Sequence, residues 1–149
     1  MAALERNLVL IVDDDESIIA MLRLHLERAG YGVASCNDAA QAVVLAKANR
    51  PRLIISDLQM PNWGSGADAY EDIRNTPALA ETPVIFVTAM EHDEAEQMLR
   101  KRDRRTRLLH KPIDWPKLQA TVLELTGPPY PTAKAPAAPP PPPGPKSPE

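Results

Sequence analysis

The chain has 149 residues, with 17 Lys+Arg against 20 Asp+Glu and a formal net charge of −3, which suits one ordinary domain and argues against general attraction to nucleic acid or an anionic membrane surface. Eleven of the 17 prolines lie between Gly127 and Glu149, so the composition of a folded unit ends near Thr126, giving a domain over 1–126 and a Pro-rich tail over 127–149. The single cysteine, Cys36, excludes an intramolecular disulfide, and the first apolar run, Leu8 to Val12, is too short for a signal peptide or a membrane span; a cytoplasmic protein is expected.

Along residues 1–126, short apolar runs alternate with segments of helical spacing. The runs are Leu8 to Val12, Tyr31 to Cys36, Leu53 to Ser56, Val84 to Thr88 and Leu108 to His110. Several are continuous rather than alternating, the pattern of parallel strands buried on both faces. Between the first two, Ile18, Met21, Leu22, Leu26 and Ala29 recur at three- and four-residue steps, and Gly30 stands where a left-handed cap stops a helix. Asp38 with Gln41 opens a second helix that should end before Pro51. Further helices are predicted over Ala67 to Arg74, Asp93 to Arg102 and Trp115 to Leu125, the last tolerating Pro116 in its first turn. This βα alternation predicts an α/β fold with a doubly wound, five-stranded parallel sheet, whose ligands bind outside the carboxyl ends of the strands.

Those ends carry the polar chemistry. Asp13, Asp14 and Asp15 follow the first strand, Asp57 the third, Thr88 closes the fourth and Lys111 follows the fifth. Three carboxylates brought together repel one another unless a cation offsets them, and an all-oxygen donor set suits magnesium better than zinc. The three histidines, His25, His92 and His110, show no metal-ligand spacing. Asp57 beside a cation is an oxygen nucleophile able to take a phosphoryl group, with Lys111 as a point charge and Thr88 as a hydrogen-bond donor on the phosphoryl oxygens. Such a transfer needs positioning and charge neutralisation more than proton removal.

In chain order, LVLIVDDDES, SDLQMP, VIFVTAM and HKPID resemble the bacterial response-regulator receiver domain of the chemotaxis-regulator type, over residues 7 to 126. The resemblance implies a flavodoxin-like receiver fold of strand order 2-1-3-4-5. It implies Asp57 as phosphoacceptor, Asp13 and Asp14 as the acidic pair serving Mg2+, and Gln59 lending its backbone carbonyl to the metal. Thr88 corresponds to the switch hydroxyl and Lys111 to the phosphate-binding lysine, whose bond to Pro112 is commonly cis in the family. The implied donor is a phosphohistidine on a sensor histidine kinase or phosphotransfer protein, and the implied role is a signalling module of a two-component phosphorelay rather than an enzyme. No effector domain fits after residue 126, so a stand-alone regulator acting by protein contact is expected. Gln59 and Met90 occupy positions that tune dephosphorylation in the family.

Several features depart from the family pattern. The loop Asn62-Trp63-Gly64-Ser65-Gly66 is one residue longer than usual and could present Trp63 to a partner. Leu108 stands where an aromatic switch residue is customary. The glycine and acidic pair expected before the last strand are replaced by Arg100 to Arg107, a run of eight with six basic residues, readable as a solvated helix end or, with the fifth helix, as a docking surface for a downstream protein. The tail, with Pro139 to Pro143 in succession, reads as disordered spacer or as a polyproline ligand for an aromatic groove. Cys36 reads as a small buried hydrophobe. Two other functions stay open: a haloacid-dehalogenase-like phosphatase with Asp13 as nucleophile, which leaves Asp57 without a role, and a pseudo-receiver that keeps the fold and takes no phosphate.

Overall fold

The structure is a computed structural model that describes residues 7–58, 66–100 and 102–131. Five strands, β1 (Leu8–Val12), β2 (Gly32–Cys36), β3 (Leu53–Ser56), β4 (Val84–Thr88) and β5 (Thr106–His110), form one parallel sheet of order β2-β1-β3-β4-β5. The connections hold α1 (Glu16–Arg28), α2 (Ala39–Asn49), α3 (Gly66–Arg74), α4 (His92–Met98) and α5 (Trp115–Thr126), with a 3₁₀ turn over Pro77–Leu79. This is the doubly wound order that the motif resemblance implies. Among the described residues no helix is long and apolar enough to cross a membrane.

Continuous apolar strands are explained by the two faces they serve. From β1, Leu10 and Val12 join Ala42 and Ala46 of α2, Ile73 of α3 and Ala95 of α4 on one side. Val9 and Ile11 join Leu22 and Leu26 of α1 and Leu118 and Val122 of α5 on the other. Each fully buried leucine of these layers contributes about 1.5–3 kcal/mol relative to an exposed one.

The helix starts follow their caps. Asp15 Oδ1 accepts from Ser17 N at 2.9 Å and Ser17 Oγ at 2.6 Å, and these hydrogen bonds lower its carboxyl pKa. Asp38 Oδ1 caps Gln41 N at 2.7 Å and Asp114 Oδ1 caps Lys117 N at 3.2 Å. Gly30, at φ 103°, supplies the left-handed residue after α1. The fourth helix is shorter than its spacing predicts: it stops at Met98 rather than Arg102. Leu99 is buried, and a turn with Arg102 N donating to Leu99 O at 3.0 Å redirects the chain toward β5. That strand starts at Thr106, two residues earlier than the apolar run suggests, because the buried Thr106 hydroxyl bonds with Tyr70 OH and Asp103 Oδ1 at 2.9 and 3.0 Å.

Contacts continue past Thr126, where the shift in composition puts the domain boundary. Asn7, 0 % exposed, donates from Nδ2 to Tyr130 O and accepts from Tyr130 N, both at 2.8 Å. The Arg52 guanidinium lies 4.4 Å from the Tyr130 ring centroid, donates to Pro128 O at 2.7 Å and also bonds Thr126 O. Residues 132–149, the rest of the Pro-rich segment, lie outside the described residues.

Leu118→Ala is expected to lower unfolding free energy by about 2–5 kcal/mol through the cavity it leaves, measured by urea denaturation; a loss under about 1 kcal/mol contradicts the packing. A chain ending at Thr126 should be about 1–3 kcal/mol less stable than one ending at Pro131, because the buried Asn7 Nδ2 loses its bond to Tyr130 O while Oδ1 keeps only the Arg52 guanidinium. Equal midpoints in the same assay would remove residues 127–131, the strap past α5, from the folded unit.

Candidate functional site

Strand register brings the polar residues together. Val12 pairs with Ser56 across β1 and β3, so the residues that follow them, Asp13 and Asp57, emerge side by side at the sheet's carboxyl edge. The ladder extends one step beyond the strands: Asp57 N donates to Val12 O at 2.9 Å and Asp13 N to Cys36 O at 3.2 Å. Thr88 pairs with His110 across β4 and β5, and Lys111 N donates to Thr88 O at 2.8 Å, which sends the lysine side chain back over the edge. The peptide between Lys111 and Pro112 is cis.

The Lys111 ammonium bridges two of the carboxylates, with Nζ 3.1 Å from Asp13 Oδ2 and 3.0 Å from Asp57 Oδ2. Asp13 and Asp57 are buried and Asp14 is exposed, yet all three offer a carboxylate oxygen within 4.8 Å of the others. The triplet after β1 is thus divided by position: Asp15 serves as helix cap, while Asp13 and Asp14 turn to the pocket. Among the described residues one ammonium faces three carboxylates, an excess of negative charge.

Burial raises the Asp13 pKa, against the opposing hydrogen bonds from Asp15 N at 2.9 Å and from Lys111. Its ionised form is therefore less favourable in the folded chain than in the unfolded one, and this residue's contribution to stability falls as pH rises through the carboxylate range. For Lys111, burial alone would lower the pKa, but the bonds to Asp57 and Asp13 outweigh it and the pKa is raised from 10.5. The lysine's stabilising contribution is complete below that usual value and is lost as pH climbs through the raised one.

Thr88 is buried, and its Oγ1 accepts from Met90 N at 3.0 Å, tying the strand end to the segment leading into α4. Gln59, expected to offer a backbone carbonyl to a metal, lies outside the described residues, as do Trp63 and Lys101. Cys36 is buried beside the pocket strands, and burial pushes its thiol up to about 11, the behaviour of a packing residue rather than a nucleophile. In the basic run, Arg102, Arg105 and Arg107 pair with Glu96, Glu81 and Glu124 at 3.2, 3.4 and 3.4 Å.

The family model described as response regulator receiver domain matches residues 9–123. The chain belongs to this family. It is 30% identical over 119 residues to the polar-differentiation response regulator DivK of Brucella anthropi, covering 80% of this chain and 95% of that protein. With the alkaline phosphatase synthesis transcriptional regulatory protein PhoP of Bacillus subtilis it shares 32% identity over 85 residues, and the match spans 57% of this chain but only about a third of PhoP (34%). Among solved structures, the chemotaxis protein CheY4 of Vibrio cholerae superposes with a TM-score of 0.72 at 30% identity, covering 79% of this chain and 97% of that one. The chain is thus a receiver domain of the two-component response-regulator type, a signalling module rather than a classical enzyme. The phosphatase reading is not favoured, because the matched family model and the superposing structure are those of receiver proteins.

The crowding has a direct consequence for stability. In metal-free buffer at pH 7, Asp13→Asn should unfold at the same urea concentration as the native chain or a higher one, because it removes a buried charge whose ionisation folding opposes. A loss exceeding about 1 kcal/mol would contradict the electrostatic account.

Proposed function

We propose that this receiver domain accepts a phosphoryl group on Asp57 from a phosphohistidine of a sensor histidine kinase or phosphotransfer protein, and signals by protein–protein contact. The observation that carries the reading is the Lys111 ammonium bridging Asp57 and Asp13 beside a third carboxylate. The donor set fits a hard divalent ion: every side-chain ligand is an oxygen, and the excess negative charge calls for a cation. Asp13, Asp14 and Asp57, with the Gln59 carbonyl, would hold Mg2+. When bound, the ion would screen the carboxylates and polarise the phosphoryl oxygens.

The protein's own groups do the rest. An Asp57 carboxylate oxygen attacks phosphorus in line, the new O–P bond forms as the P–N bond to the donor histidine breaks, and that histidine leaves to recover a proton from solvent. Lys111 exchanges part of its ion pair with Asp57 for a phosphoryl oxygen. No general base is needed, since transfer to a carboxylate oxygen rests on positioning and charge neutralisation rather than on proton removal.

The output runs through Thr88. Thr88 Oγ1 accepts from Met90 N and can still donate its own proton, so a move of the hydroxyl toward the phosphoryl group would draw the segment between β4 and α4 with it and change the surface shared by α4 and β5. Leu108 lies in β5 and packs partly buried against the core, so the rearrangement proceeds without a reorienting ring at that position. The downstream partner docks on this surface, with the 100–107 region and α5 at its rim. The domain functions in the cytoplasm, where sensor kinases present their phosphohistidines.

The test is incubation of the full chain with acetyl phosphate and Mg2+, followed by intact mass and site mapping. One phosphoryl adduct on Asp57, dependent on Mg2+ and absent from Asp57→Asn, is the expected result. An adduct on Asp13, or one that persists in Asp57→Asn, contradicts the assignment. Absence of any adduct with a phosphorylated kinase also supplied would make the chain a pseudo-receiver.

A further inference from the structure

His92 and His110 are 18 residues apart and their spacing shows no ligand pattern, but the fold corrects that reading by bringing them together. His92 lies on α4 and His110 ends the edge strand β5. His92 Nδ1 stands 2.9 Å from His110 Nε2, with ring centroids 4.8 Å apart and planes tilted by 42°. Glu96, one helical turn after His92, completes the group: one ligand atom from each of the three lies within 4.8 Å of the other two. The third histidine, His25, is stacked on Trp115 at 4.4 Å and takes no part.

Two nitrogens and one carboxylate oxygen form a donor set unlike that of the acidic pocket. Imidazole suits borderline divalent ions such as Zn2+, which carry nitrogens at about 2.0–2.1 Å, so that two nitrogens on one tetrahedral ion stand about 3.3–3.4 Å apart. The 2.9 Å contact between the two rings is a hydrogen bond, which a bound ion would replace, moving the nitrogens about 0.4–0.5 Å further apart. Both rings can turn a lone pair to the same point if each carries its proton on the other nitrogen. Arg102 Nη1 holds Glu96 Oε1 at 3.2 Å and is itself tied to Leu99 O at 3.2 Å, which orients the carboxylate as outer partners of metal ligands do. His92 is exposed and Glu96 and His110 are half-buried, leaving a solvent-facing position for water.

We propose that His92, Glu96 and His110 form a second cation site, for a divalent ion of the zinc class. It is separate from the pocket of Asp13, Asp14 and Asp57. The site spans α4 and β5, and His110 directly precedes Lys111. A bound ion would therefore clamp the helix to the strand next to the lysine of the acidic pocket.

The full chain, stripped of metal and then supplied with excess Mg2+ to occupy the acidic pocket, is titrated with Zn2+ by calorimetry and by NMR of the histidine ring nitrogens. One bound ion is expected, with the ring resonances of His92 and His110 shifted and those of His25 unchanged. His92→Ala and His110→Ala should each weaken binding by about tenfold or more, Glu96→Gln by less, while Asp57→Asn leaves it unaltered. Circular dichroism establishes that each variant is folded; His92, Glu96 and His110 all reach solvent, and Asp57 lies at the carboxyl edge of the sheet. Zn2+ binding that survives both histidine substitutions, or that is lost in Asp57→Asn, overturns the site, as does a titration that moves neither histidine ring. None of these outcomes depends on whether Asp57 takes phosphate.

Discussion

The interaction on which the rest of this structure turns is the contact of one ammonium with crowded carboxylates at the edge of a parallel sheet. Pairing Val12 with Ser56 obliges Asp13 and Asp57 to leave the sheet as neighbours, and nothing in hydrophobic packing relieves the repulsion that follows. Lys111, delivered from the far side by the pairing of β5 with β4, offsets part of it at 3.0 and 3.1 Å. The apolar layers position the backbone, and the pocket concentrates like charge that a cation can offset.

Much of this was legible in the sequence because it is written in local patterns. The continuous runs in β1, β3 and β4 and the caps Asp38 and Gly30 correspond to the observed elements within a residue or two. The doubly wound sheet then follows from the handedness of crossovers. The polar residues at four strand ends could be grouped because strand ends are where such sheets present their chemistry. What escaped was decided by tertiary contacts. The end of α4 depends on the burial of Leu99, and the start of β5 on the Thr106 hydroxyl finding Tyr70 and Asp103; neither contact has a periodicity. The histidine pair depends on the order of β4 and β5 and on the path of the chain into α4. The only trace in the sequence is the helical step from His92 to Glu96.

The Pro-rich segment illustrates the same limit from the other side. Composition marks the change at Gly127, but the first residues beyond it are recruited by a buried amide, Asn7, and by a guanidinium, Arg52, that has backbone carbonyls and the Tyr130 ring within reach. The strap lies against α1 near Gly30, where an added Cβ would meet Pro129 Cγ at 3.2 Å. It is therefore on the side of the sheet that α1 and α5 share, while the arginine-rich turn and the histidine cluster lie toward β5.

The central claim is that the carboxylates are held closer than their charges favour, and so should gain from a divalent cation. The direct measurement is the urea unfolding free energy of the native chain and of Asp13→Asn combined with Asp57→Asn, each with and without Mg2+. Linkage predicts that Mg2+ stabilises the native chain, by about 2.7 kcal/mol at a hundredfold excess over its dissociation constant, and leaves the double variant unchanged. Equal unfolding curves for the native chain with and without the ion at saturating concentration would contradict it.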